Sequence, residues 1–505
     1  MQILMLLRQR TPAQRRQPPG CWNSWQKRLS TSFCNNFENL PTACNMTFLT
    51  KNRVVSFVSN MSTAYNLTII SMVLILTKDL YPETTNMVSA LKTASLVGAI
   101  VGQLSMGYVA DLMGRSAAMS ITMQLTIAGA LLSSFHLENI FGTDPSSPYE
   151  WIVFCRFLLG IGVGGVYPLA ATIAAESNTD EKNRGREVSA IFSSQGVGFL
   201  LCPVVVMILV NINPDKPDDS DAKKGCNQLN WRLALAFGAL PGLLVAPFKI
   251  SETKKAESPA PLVETASTPG IAPTCSPVVV SSFWKDLGNS EYWPTLVGTA
   301  GGWFLFDITF YGNSLCSKLI TDHVFGEASS VTTTMFHQLV IFAVALPGYW
   351  CATYTMDSLG RKNIQLFGFL MMTVLYGILA LILKYAINSV PSAVLFIIYS
   401  LTFFFSNFGP NSTTFILPSE SFPMHVRASM NGFSAASGKC GAAIGAYCFK
   451  PLSVAIGVPS VMGICALVSL VGLGVTYFFI EDRRGKAMRG DTEEHLIDEE
   501  DRQHC

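Results

Sequence analysis

The chain has 505 residues, 49% of them hydrophobic and only 14% charged, with a mean hydropathy of +0.35. Such a composition is too apolar for a soluble protein of this size and calls for a lipid solvent. The net charge is +1, with Lys and Arg in short clusters between apolar runs, which excludes the basic stripe of a nucleic-acid-binding protein.

In chain order, the first 37 residues carry Arg8, Arg10, Arg15, Arg16, Lys27 and Arg28 and no acidic residue. Residues 1–53 therefore read as a basic cytoplasmic tail, with an organellar transit peptide as the alternative. A helix needs about 20 mostly apolar residues to cross a bilayer core of about 30 Å. Twelve such runs follow, at 54–77, 88–112, 116–136, 150–176, 188–211, 232–249, 293–318, 331–355, 363–386, 391–412, 430–450 and 456–481. They form two groups of six, 54–249 and 291–482. The linker between them, 250–290, contains the stretch Ser251–Ser282, rich in Ser, Thr, Pro, Ala and charge, which cannot bury enough apolar surface to fold alone. Residues 483–505 read as an acidic cytoplasmic tail. The expected fold class is an all-α membrane protein, with twelve transmembrane helices in two six-helix bundles.

If the helices alternate in direction, Arg115, Lys182, Arg184, Arg186, Lys254, Lys255, Arg361, Lys362, Arg427, Arg483 and Arg484 share one side. Cytoplasmic loops carry the basic excess, so that side is expected to be cytoplasmic, together with both termini. The glycosylation sequons at Asn45, Asn60, Asn66 and Asn411 then fall in the cytoplasm or the membrane and read as chance matches. Cysteines such as Cys155, Cys202, Cys351 and Cys440 lie in apolar runs without CxxC pairing and read as packing residues.

One short motif occurs twice. Gly107-Tyr-Val-Ala-Asp111-Leu-Met-Gly114-Arg115 follows the second span, and Asp357-Ser-Leu-Gly360-Arg361-Lys362 follows the eighth. An Asp facing an Arg across a glycine turn can latch neighbouring helix ends in one conformation and release them in another. Arg156, Glu176, Glu420 and Arg427 are expected near cytoplasmic helix ends, as structural or gating ion pairs.

Ionisable and polar side chains inside membrane helices cost several kcal/mol unless they face a cavity or a partner. Few are present. Trp303, Asp307 and Tyr311 recur every four residues in the seventh span, on one helical face. Lys439 lies among Gly438, Gly441 and other small residues in the eleventh. Tyr167 precedes Pro168 in the fourth, Gln195 lies in the fifth, and Asn411 follows Gly409-Pro410 in the tenth. Such a ring offers donors suited to a small tetrahedral oxyanion, and one carboxylate able to accept a proton from that anion. Protonated phosphate carries such a proton; sulfate at neutral pH does not. The ordinary structural alternatives are packing aromatics for Trp303 and Tyr311, and interhelical hydrogen-bonding for Gln195 and Asn411. No Ser/His/Asp set, metal cluster or phosphate loop stands out, so neither an enzyme nor a cofactor is expected.

The twin motifs, with Arg156-Phe-Leu-Leu-Gly160-Ile-Gly162-Val-Gly164-Gly165 in the fourth span, resemble the major facilitator superfamily. Within it, the chain resembles the phosphate:proton symporter family of fungi and plants over essentially all of 54–485, most specifically in Gly160-Ile-Gly-Val-Gly-Gly-Val-Tyr-Pro-Leu-Ala-Ala-Thr-Ile173, Lys182-Asn-Arg-Gly185 and Pro410-Asn-Ser-Thr-Thr-Phe-Ile-Leu-Pro-Ser-Glu420-Ser-Phe-Pro423 through Ser434-Ala-Ala-Ser-Gly-Lys439. The resemblance implies that Tyr167, Gln195, Trp303, Asp307, Tyr311 and Asn411 contact phosphate, with Lys439 as a charge partner. It also implies a carboxylate where this chain has Val166, and an Asp-Ala-Tyr-Asp segment where it reads Thr63-Ala64-Tyr65-Asn66. Proton coupling is therefore expected to be weakened, re-routed through Asp307 and Lys439, or replaced by uniport.

The leading expectation is alternating-access transport of inorganic phosphate in the plasma membrane, or alternatively an organelle membrane. Its partners would be phosphate, protons where coupling persists, and the lipid bilayer, with no nucleic acid. A transporter of another anion or of an organic phosphate is the alternative that Val166 suggests. A non-transporting phosphate sensor is a third, with the acidic stretch Asp491–Asp501 as its output.

Overall fold

In the computed structural model the described residues of each predicted apolar run are mostly helical. The structure describes residues 51–78, 80–81, 85–135, 147–176, 183–213, 220–246, 290–326, 330–423, 426–482 and 484. The helices of the first half are α1 (Lys51–Thr77), α2 (Thr85–Met113), α3 (Arg115–Ser134), α4 (Ser147–Glu176), α5 (Arg184–Ile212) and α6 (Ser220–Phe237, resuming over 240–246). In the second half, α7 is composite, made of Trp293–Leu296, a π-turn at Val297–Gly301 and Gly302–Leu315. It is followed by α8 (Val331–Leu359) and α9 (Arg361–Tyr385). The composite α10 (Ser392–Ser406, a π-turn at Asn407–Asn411, Ser412–Ser421) leads to α11 (Arg427–Ile456) and α12 (Val458–Phe479).

Three boundaries differ from expectation. The tenth run was expected to end near 412, but α10 bends at Gly409-Pro410 and continues to Ser421. The helix α6 begins ahead of its apolar stretch, at Ser220. A short helix, Ser317–Phe325, follows α7. The expected tails and linker fall in 1–50, 247–289 and 485–505, outside the described residues.

The repeated motif has one backbone geometry. Gly114 (φ 90°, ψ 153°) and Gly360 (φ 87°, ψ 151°) turn the chain between α2 and α3 and between α8 and α9. A residue with a Cβ is disfavoured at positive φ, so glycine makes both corners at low cost.

Close packing follows from small residues at crossings. A Cβ on Gly98 or Gly102 would lie 2.1 Å from a carbonyl oxygen of α4, and one on Gly348 would lie 2.4 Å from the Phe404 carbonyl of α10. The two halves meet along α2 with α11 and along α5 with α8. These seams exchange under a six-helix shift, as expected for repeated halves. Among the described residues, ten of the helices are long and apolar enough to cross a membrane. The two that fall short are α7 and α11, which carry Asp307 and Lys439. Large apolar side chains such as Leu381, Leu467 and Phe478 are exposed on the outer faces, as a multi-pass membrane protein requires.

Candidate functional site

The chain breaks its own helices where the polar residues gather. Pro410 has no N–H to donate, and Phe408 (φ −80°, ψ 40°) and Gly409 (φ −168°, ψ −128°) leave helical geometry. Hydroxyls bond carbonyls on both sides of the bend: Ser412 Oγ donates to Asn407 O at 2.7 Å and Thr414 Oγ1 to Pro410 O at 2.7 Å. The bend carries Asn411 into the interior, 5% exposed. Non-helical backbone at membrane depth is tolerated where it is buried in protein or lines a cavity.

Close packing of α7 on α11 sets the charged centre. A Cβ on Gly441 or Gly445 would lie 2.1 or 2.3 Å from the carbonyl oxygens of Phe304 and Ile308. The absence of those methyls lets Lys439 Nζ reach Asp307 Oδ2 at 2.8 Å and Tyr311 OH at 3.2 Å. The ammonium also lies 4.3 Å from the Tyr311 ring centroid and 5.2 Å from that of Tyr167 across the bundle interface, near enough for cation–π attraction. Gly438 leaves room for Trp303, whose Cδ1 would be 2.4 Å from an added Cβ.

A neutral network continues from this centre across both halves. Gln195 Nε2 donates to Tyr167 OH at 2.6 Å, and Tyr349 OH donates to Gln195 Oε1 at 2.7 Å. Asn411 Nδ2 approaches Tyr349 OH at 2.8 Å and Asn407 Oδ1 at 2.8 Å. The seven residues singled out in the sequence, Tyr167, Gln195, Trp303, Asp307, Tyr311, Asn411 and Lys439, thus line one buried region, none more than 5% exposed. Tyr349 on α8 was missed. Its only signal is the Pro347-Gly348-Tyr349 sequence, which reads as ordinary helix packing.

Aromatic contacts between the halves flank the site on both sides. Toward the end rich in Arg and Lys, here the basic end, Phe192 of α5 stacks on Phe415 of α10 at 4.3 Å. Toward the opposite end, Phe199 of α5 contacts Phe342 at 5.6 Å and Phe310 at 5.7 Å.

The basic end adds a charge cluster. Arg361 pairs with Asp357 at 2.9 Å and with Glu420 at 2.8 Å, and Glu420 also faces Arg184 of the other half at 3.5 Å. The Arg186 amide donates to Asp357 at 2.8 Å. Arg184 is a further residue that the sequence reading left outside the candidate set. Arg427 is buried, and its Nε donates to Phe422 O at 3.0 Å. The side chains of Asp111, Arg115 and Glu176 lie outside the described set.

Arg156 requires a correction. It does not lie near the basic end: it is in the third turn of α4, about 30 Å from Glu176 along the helix. Fully buried, it directs Nη2 to the backbone carbonyl of Asn66. The register of α4, which enters from the opposite end, overrides the placement suggested by charge.

Comparison with known proteins places this geometry. A family model described as Major Facilitator Superfamily matches residues 55–446. The chain is 32% identical over 449 residues to the probable inorganic phosphate transporter 1-6 of Arabidopsis thaliana, covering 81% of this chain and 86% of that protein. It is 33% identical over 451 residues to inorganic phosphate transporter 1-6 of Oryza sativa subsp. japonica, covering 79% and 82%. The low affinity inorganic phosphate transporter 4 of Lotus japonicus is 32% identical over 433 residues, covering 78% and 80%. Among solved structures, the proton:xylose symporter XylE bound to 6-bromo-6-deoxy-D-glucose aligns with a TM-score of 0.67 at 17% identity, covering 88% of this chain and 98% of that one. A partially occluded inward open form of XylE from E. coli gives 0.63 at 17% identity, covering 86% and 99%.

Proposed function

The chain belongs to the major facilitator superfamily and, within it, to the family of the inorganic phosphate transporters, and on that premise we propose that it carries inorganic phosphate across a membrane by alternating access. The observation that carries this reading is the buried Lys439–Asp307 pair at 2.8 Å, joined to a two-bundle ring of Tyr, Gln and Asn. The names of the relatives support the choice of phosphate.

In this reading Lys439, Tyr167, Tyr311, Tyr349, Trp303 and Asn411 supply donors to the phosphate oxygens, and Asp307 accepts the hydrogen of a protonated one. A phosphate entering beside Lys439 competes with Asp307 for the ammonium, so binding loosens the pair and draws in groups from both bundles. Differential affinity for the alternative states then moves the bundles. The basic end is proposed as the cytoplasmic one, from its excess of Arg and Lys, and the plasma membrane as the location. Any proton coupling would pass through Asp307, because Thr63, Asn66 and Val166 occupy the positions where the resemblance implies carboxylates.

The test is radiolabelled phosphate uptake into proteoliposomes, with and without an inward proton gradient and with excess sulfate or glycerophosphate. Phosphate-selective uptake, lost in Asp307→Asn, is expected. Near-normal uptake in that variant removes Asp307 from the site. Competition by glycerophosphate as strong as by phosphate itself would favour an organic-phosphate carrier with a pocket widened beside Val166, a buried neighbour of Tyr167. Binding without uptake would make the chain a sensor.

A further inference from the structure

The buried cations of this molecule are not treated alike. Lys439 has Asp307, and Arg184 and Arg361 share Glu420. Arg156 is fully buried, and its neighbours include a peptide carbonyl, Tyr65, Cys155 and Cys202. Its Nε and Nη1 have no hydrogen-bond partner, and no ion pair between described residues includes it. A buried charge without a counter-charge is among the costliest features a fold can carry, and more so at membrane depth.

The surroundings are polar in the same unpaired way. Thr63, one turn along α1 from Asn66, is fully buried, and its hydroxyl has no partner. On α4, Gly160 lies one turn from Arg156 on the same face, and a Cβ there would come 2.3 Å from the Ser95 carbonyl of α2. The Ser95 hydroxyl is likewise fully buried and unpartnered, as are the Asn66 Oδ1 atom and both side-chain polar atoms of Asn60, a further turn down α1. A guanidinium with two idle nitrogens and two idle hydroxyls thus lie on the three helices, α1, α2 and α4, that pack together here. All can donate to an anion, and no carboxylate competes for them among the described residues.

We propose that this seam binds a small inorganic anion, held by Arg156 with Thr63 and Ser95, which supplies the counter-charge the bundle lacks. The site is separate from the ring around Asp307 and Lys439 and does not depend on which substrate that ring takes. Chloride and inorganic phosphate are the two sources of such an anion.

The test is the thermal unfolding midpoint of the purified full-length protein as chloride replaces gluconate at fixed ionic strength, followed by a phosphate titration of the Asp307→Asn protein, whose central ring is disabled. A saturable rise of several degrees with chloride, absent in Arg156→Gln, is expected. If chloride is inert but phosphate raises the midpoint of Asp307→Asn and not of the Asp307→Asn/Arg156→Gln double variant, the site stands with phosphate as its anion. Should Arg156→Gln fail to fold, the Thr63→Val/Ser95→Ala pair leaves the guanidinium in place and should weaken the anion's apparent affinity by roughly ten-fold. No anion-dependent rise, or an equal rise in gluconate or in these variants, overturns the proposal. Because the readout is stability and not uptake, it stands or falls separately from phosphate transport.

Discussion

The two ends of the molecule close over the central ring by different means. At the opposite end the halves meet through Phe199, Phe310 and Phe342, and the Lys318–Asp322 pair stays within one half. At the basic end the Phe192–Phe415 stack is backed by Glu420, which Arg184 and Arg361 approach from different halves. Apolar contacts re-form on any complementary surface, whereas a buried charge left without its partner is strongly penalised. Among the described residues, opening at the basic end therefore has an ion-pair threshold between the halves that the other end lacks, where the polar contact across the halves is Lys92 Nζ to Cys316 Sγ at 3.7 Å. A substrate that binds both bundles would have to offset that threshold before the basic end parts.

The sharpest way to break this comparison is Glu420→Ala, which removes the buried carboxylate that Arg184 and Arg361 share across the halves. The expected loss is about 3–5 kcal/mol of stability, read as a fall in thermal midpoint. A Ser189→Cys reporter near the seam should also gain reactivity toward an impermeant thiol reagent added from the basic side. If neither changes, the two ends are held alike and charge is incidental. Next in size are Phe192→Ala and Phe199→Ala, each expected to cost about 3 kcal/mol, since each removes a buried aromatic that bridges the halves. Parity between them would confine the asymmetry to the ionic layer; a much smaller cost at Phe199 would extend it to the aromatic layer. Smaller again are Gly114→Ala and Gly360→Ala, at about 1–2 kcal/mol each from positive φ, measured as paired thermal shifts. Unequal shifts would mean that the twin corners differ in more than sequence.

Much of this was legible because a membrane makes exceptions conspicuous. A lone Asp on α7 and a Lys in the middle of α11 stand out in apolar context, and the four-residue spacing of Trp303, Asp307 and Tyr311 already places them on one face. What was not legible depends on pairings remote in sequence. Arg184 and Glu420 are 236 residues apart, and nothing local to either indicates the other. Tyr349 is hidden because a tyrosine in an aromatic-rich helix has no distinguishing signal until Gln195 and Asn411 arrive from other helices. The continuation of α10 past residue 412 was hidden too, since its apolar run ends there, and only the structure shows the hydroxyls of Ser412, Thr413 and Thr414 bonding carbonyls around the bend.

The smallest effect tests whether the seam between the aromatic and ionic layers adds to the threshold. Ser189 Oγ of α5 and Thr353 Oγ1 of α8 share a hydrogen bond at 3.0 Å, both buried, and Thr353 also donates to the Tyr349 carbonyl at 2.9 Å. Since Thr353 already has that acceptor within its own helix, Ser189 is the donor across the seam. Ser189→Ala removes a donor whose loss leaves Thr353 satisfied, so the cost should be only about 1 kcal/mol. Thr353→Val leaves the Ser189 hydroxyl buried without its acceptor and should cost more, up to about 2 kcal/mol. That order, measured as thermal shifts, would mean that polar contacts between the bundles strengthen stepwise toward the basic end, from aromatic stack through hydroxyl pair to ion cluster. The reverse order would make Thr353 the donor across the seam, and the layer would then contribute to the hold on Tyr349 rather than to the closure of that end.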